Sequence, residues 1–136
     1  MQFAEASTKS LEPCLRVLIV EDDPDLRPTI ADLLSMEGFS VTTAAHGAAA
    51  LNTLRNAKQL PDVILLDWLM PVMSGDELLD ALELDERLST IPVVVLSGAR
   101  GLARLPAERA QVVRMLPKPF SVGPMLEALR EAGGRR

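Results

Sequence analysis

The residues in this sequence with the most capacity for chemistry are a set of carboxylates and one amine, each placed where an apolar run stops. Glu21, Asp22 and Asp23 follow the run at 15–20, Asp67 ends the run at 62–67, Ser97 ends that at 91–97, and Lys118 with Pro119 follows that at 112–116. Carboxylates gathered at one place repel one another unless a cation neutralises them. An oxygen-only set with few protein ligands suits Mg²⁺, which keeps part of its water shell. A magnesium site is therefore expected. A flavin phosphate is not expected, because its cradle needs a hydroxyl- and glycine-rich loop after the first strand. The acidic Glu21-Asp22-Asp23-Pro24-Asp25 turn would repel it.

These residues can meet only if the runs that carry them lie side by side. LRVLIV, DVILLD and IPVVVLS are nearly continuous in apolar and β-branched residues, as strands buried on both faces are. FSVTTA at 39–44 and VVRML at 112–116 are weaker versions, making five strands. Between them the period becomes helical. Leu26, Ile30, Leu33 and Leu34 precede Gly38, and Leu51 and Leu54 follow Gly47. Ser74 and Glu77 have the spacing of a capping box before Leu78, Leu79 and Leu82. Ser121 is a candidate N-cap for Met125, Leu126 and Leu129. Gly101 and Pro106 interrupt the segment 99–110, so a short or mobile fourth helix is expected there. Strands alternating with helices make a doubly wound α/β fold with a five-stranded parallel sheet, whose ligands sit beyond the carboxyl ends of the strands.

The chain has 136 residues, 48% hydrophobic and 24% charged, with a formal net charge of −5. That length suits one domain with a sizeable core, and the composition is that of a globular protein. Residues 1–13 read as a flexible leader, 14–133 as the domain and 134–136 as a tail. A net negative charge is the wrong sign for gripping nucleic acid through its phosphates. The single cysteine, Cys14, implies no disulfide. Neither an export signal nor an apolar stretch long enough to span a bilayer is present, so a soluble, cytoplasmic protein with no membrane insertion is expected.

The segments VLIVEDDPDLR, VILLDWLMPVMSGDEL, VVVLSGA and LPKPF, in this order and spacing, resemble the receiver domain of response regulators in two-component signalling, over roughly residues 15–132. The resemblance is to the single-domain, chemotaxis-regulator-like form. It implies a flavodoxin-like (βα)5 fold, with Asp67 as phosphoacceptor and an aspartyl phosphate as product. Magnesium would be held by Glu21, Asp22, Asp67 and the backbone carbonyl of Leu69, with Asp23 left as an exposed turn residue. Ser97 and Lys118 would bind the phosphoryl group, Pro119 would be a cis-proline, and Ser74 and Gly75 would close the loop beneath the site. The implied partners are a histidine kinase or histidine phosphotransfer protein as donor, and a downstream target at the fourth helix, fifth strand and fifth helix. The chain would be a phosphoacceptor regulator that catalyses its own phosphorylation and dephosphorylation, with no output domain in these residues.

The sequence departs from the family pattern at Met115, where an aromatic switch residue is usual, and the chain has no tyrosine. Movement of the 98–110 segment is then expected to carry more of the signal. Leu69 and Ala99 occupy the lifetime-tuning positions, and neither side chain can orient a hydrolytic water, which implies slow self-dephosphorylation. Arg100, Arg104, Arg109 and Arg114 read as either a solvated face or a docking surface, and His46 as a surface loop residue. Two rival functions are a degenerate receiver that binds partners without phosphorylation, and an aspartyl-phosphate phosphatase of the haloacid-dehalogenase type. The second would use a DxD motif after the first strand, a spacing that Asp23 and Asp25 satisfy.

Overall fold

A computed structural model describes residues 14–68, 73–97 and 109–134. The leader at 1–13, Leu69, Ala99, Arg100, Arg104 and the expected fourth helix lie outside the described residues, apart from 109 and 110 at the end of that segment. Five strands, β1 (Arg16–Val20), β2 (Ser40–Ala44), β3 (Val63–Asp67), β4 (Val93–Ser97) and β5 (Val112–Pro117), form one sheet in the order β2-β1-β3-β4-β5. All four pairings are parallel. The described helices are α1 (Leu26–Met36), α2 (Gly47–Asn56), α3 (Gly75–Glu83) and α4 (Val122–Gly133). The expected doubly wound fold is the one observed.

The continuous apolar runs are explained by the two faces they serve. Leu18, Val20, Ile64, Leu66, Val93 and Val95 pack with Leu51, Leu54, Leu78, Leu79 and Leu82 of α2 and α3. The intervening Val17, Ile19, Val63, Leu65, Val94 and Leu96 pack with Ile30, Leu34, Met125 and Leu129 of α1 and α4. Side chains alternate across a strand, so a sheet covered on both sides needs apolar residues at every position. Among the described residues no helix is long and apolar enough to cross a membrane.

Helix ends follow local chemistry. Gly38 stands just beyond the C-cap of α1 with φ +95, a conformation that costs a residue with a Cβ. Ser74 and Glu77 form the expected capping box of α3. Ser121 is the N-cap of α4 but makes no side-chain cap bond, so the helix starts where expected without the expected hydrogen bond. His46 is more than a loop residue, because its Nδ1 accepts the Ala49 N–H at 3.1 Å and caps α2. Gly38→Ala should therefore destabilise the fold by about 1–2 kcal/mol. Urea unfolding checks this as a lower midpoint with an unchanged slope.

Candidate functional site

Strand order places the acidic residues. From β1 the chain crosses to β2 on one side and then to β3 on the other, so β1 and β3 part their connections at the position where such sheets bind ligands. Glu21 and Asp22 leave the end of β1, and Asp67 is the last residue of β3. Ser97 ends β4 and Lys118 follows β5, with the Lys118 N–H donating to the Ser97 carbonyl at 2.9 Å. The Lys118–Pro119 peptide bond is cis.

One oxygen from each of Glu21, Asp22 and Asp67 falls within 4.8 Å of the others. Lys118 Nζ stands 3.1 Å from Glu21 Oε1 and 3.2 Å from Asp67 Oδ1. Glu21 and Asp67 are 1% and 4% exposed, so little water reaches these two carboxylates, and Ser97 is likewise buried. Burial, followed by the neighbouring Asp22 and Glu21 carboxylates, pushes the Asp67 pKa up to about 7, while the Lys118 ammonium pulls the other way. Burial opposes the charge on Lys118, but the Asp67 and Glu21 carboxylates outweigh it and hold its pKa above the ordinary lysine value.

Backbone contacts shape the acidic turn. Glu21 Oε2 accepts the Asp23 N–H at 3.2 Å, and Arg27 Nη1 donates to the Glu21 carbonyl at 3.0 Å. Asp23 is exposed and accepts the N–H groups of Asp25 and Leu26, which lower its pKa. It thus belongs to the turn that leads into α1 rather than to the triad. Glu21 Oε1 is buried with no hydrogen-bond partner among the described residues, and Lys118 reaches it only as an ion pair. A buried oxygen left without a donor, beside two further carboxylates, fits a hard hydrated cation such as Mg²⁺ better than any neutral ligand.

Around the site, Met115 is half-buried on β5 against the core beneath α2 and α3. Arg109 does not contribute a free basic surface. Its guanidinium meets Asp76, Asp80 and Glu83 of α3 at 2.6, 2.7 and 2.9 Å, and Asp80 above all raises its pKa further. Sequence reasoning missed this pairing, although the spacing of the three acids along one helix face was visible. It also missed Gln111, whose buried Nε2 donates to the carbonyls of Leu88 and Ile91 at 2.9 Å each.

A sequence model of the response regulator receiver domain matches residues 17–130. The chain is 41% identical over 107 residues to the sensor histidine kinase TmoS of Ectopseudomonas mendocina, covering 78% of this chain and 11% of that protein. It is 36% identical over 108 residues to the transcriptional regulatory protein CpxR homolog of Haemophilus influenzae, covering 78% of this chain and 44% of that protein. The chain thus spans less than half the length of either relative. The receiver domain of the Francisella response regulator 1452 superposes with a TM-score of 0.77 at 26% identity, covering 89% of this chain and 98% of that one.

The pKa of Asp67 generates a stability prediction. Because its value in the fold, about 7, lies above the ordinary aspartate value of 3.8, Asp67 favours the fold when protonated, and that contribution is lost as pH rises through about 7. In metal-free buffer, Asp67→Asn should raise the thermal midpoint by a few degrees at about pH 8 and by clearly less at about pH 5. Calorimetric scans at the two pH values check the difference, and an equal gain at both would contradict it.

Proposed function

The chain belongs to the response regulator receiver family, and from that premise we propose that Asp67 is the phosphoacceptor of a two-component phosphorelay. The observation that carries this reading is the Lys118 ammonium within ion-pair distance of both Glu21 and Asp67 at the carboxyl edge of the sheet. In the proposed reaction, an Asp67 carboxylate oxygen attacks the phosphorus of a phosphohistidine in line with the P–N bond. The P–O bond forms as the P–N bond breaks, and the imidazole leaves with the electron pair and takes up a proton.

Glu21, Asp22 and Asp67 are the residues that would hold Mg²⁺, which supplies neutralising charge to the transferring phosphoryl oxygens when bound. The remaining work belongs to the chain. Lys118 offers a second positive charge from a fixed position, so no reorganisation is needed as charge builds on the phosphoryl group. Ser97, buried at the end of β4, has a hydroxyl suited to a phosphoryl oxygen once Asp67 is modified. Repulsion between the three carboxylates disfavours the ionised site, and conversion of Asp67 to an acyl phosphate changes both its charge and its partners. A shift between two conformational populations, read by a separate partner, follows from that change.

Donor and target are assigned by chemistry alone: a histidine kinase or phosphotransfer protein, and a protein that binds one population better. Incubation with acetyl phosphate and Mg²⁺ should add one phosphoryl group, detected by intact mass. Asp67→Asn should add none, and Lys118→Ala should slow the uptake by about a hundredfold. No increment in the wild-type chain, even with a phosphotransfer donor, would contradict the proposal and favour phosphorylation-independent binding.

A further inference from the structure

Two glycines at the first positions of α2 and α3 admit side chains from the residues that bracket the loop after Asp67. A Cβ on Gly75 would lie 2.4 Å from Cε3 and 2.8 Å from Cζ3 of Trp68, so the buried indole rests on bare α3 backbone. The Trp68 carbonyl accepts the Gly75 N–H at 3.1 Å, and the Trp68 N–H donates to the Leu96 carbonyl at 2.9 Å. The residue after Asp67 is thereby fixed to β4 by its N–H and to α3 by both its carbonyl and its ring. At the far end of the loop, a Cβ on Gly47 would lie 2.8 Å from Cβ, Cγ and the carbonyl oxygen of Met73. The Ser74–Glu77 capping box then holds the start of α3 still.

We infer that Trp68 is a positioning residue for the chemistry at Asp67. Seated on Gly75, its ring sets the peptide joined to Asp67, and with it the approach of that carboxylate to Asp22 and Lys118. A buried tryptophan elsewhere in the core would affect only stability. This one is a single peptide bond from the proposed nucleophile, where a displacement of about 1 Å can cost on the order of a hundredfold in rate. The phosphoryl-transfer part of this inference rests on the proposed function, whereas the seating of Trp68 on Gly75 and its effect on metal binding do not.

The test uses four full-length proteins: wild type, Gly75→Ala, Trp68→Leu and the double variant. Each is measured well below its thermal midpoint for its Mg²⁺ dissociation constant by calorimetry and for phosphoryl uptake from acetyl phosphate by intact mass. Gly75→Ala should weaken Mg²⁺ binding and slow uptake by about tenfold or more, because its methyl group displaces the indole. Trp68→Leu, which loses the seated ring, should be impaired to a similar degree, and the double variant should be no worse than Trp68→Leu alone, since leucine vacates the space the methyl takes, giving strongly non-additive effects. Wild-type behaviour of Gly75→Ala, or losses that simply add in the double variant, would overturn the inference.

Should Gly75→Ala fail to fold, a folded double variant matching Trp68→Leu supports the seating and an unfolded double variant overturns it. If the wild type binds Mg²⁺ but takes up no phosphoryl group, the phosphoacceptor proposal falls. The pattern of dissociation constants then decides the seating alone, a double variant that matches Trp68→Leu supporting it and additivity overturning it. A wild type that neither binds Mg²⁺ nor takes up phosphoryl overturns both.

Discussion

Three carboxylates crowded at one edge of the sheet, two of them buried, are the constraint on which the rest of the structure depends. Glu21, Asp22 and Asp67 cannot all hold their charge there without compensation, and Lys118 supplies one positive charge against three negative ones. The imbalance shows in Asp67, whose pKa is pushed up to about 7. It shows again in Glu21, which keeps a buried oxygen with no hydrogen bond among the described residues. Such a site is held at a cost in stability, which a bound cation would relieve. A position that gains so much from a change of charge is suited to act as a switch.

The fold exists to hold that crowding in place. Apolar packing on both faces of the sheet fixes the ends of β1, β3, β4 and β5 at one edge, and the β1/β3 divergence brings the acids together. Around this frame, polar contacts tie down the connections. Arg27 holds the Glu21 carbonyl, Arg109 gathers three acids of α3, and Gln111 bridges the turn that leads into β4. Arg87 donates to the carbonyls of Leu54 and Ala57 at the end of α2, where the helix leaves acceptors unpaired. Each of these groups offsets a local cost in the connections around the site.

The sheet was legible because its three central strands, β1, β3 and β4, are nearly continuous in apolar residues, and the acids were legible because they stand where those runs stop. The capping box at Ser74 could be read from spacing alone. Long-range polar pairings could not: nothing near Arg109 indicates that it crosses to α3, and nothing beside Gln111 names the carbonyls of Leu88 and Ile91 as its acceptors. His46 lies in the connection between β2 and α2 as expected, but its capping role was not legible because histidine is a rarer N-cap than aspartate or serine. Ser121 shows the converse, a favoured cap residue at the right position whose hydroxyl makes no cap bond. The need for glycine at 47 and 75 depends on side chains that arrive from another loop, so only the packed structure reveals it.

The most direct measurement of whether carboxylate crowding governs this site is the thermal midpoint of the wild type and of Asp67→Asn over a Mg²⁺ titration. Binding to the folded state alone stabilises it by about 2.7 kcal/mol at a hundredfold excess over the dissociation constant. The wild-type midpoint is therefore expected to climb with the logarithm of Mg²⁺ concentration, while Asp67→Asn starts higher and responds far less. A wild-type midpoint indifferent to Mg²⁺, or a variant that climbs equally, would contradict it.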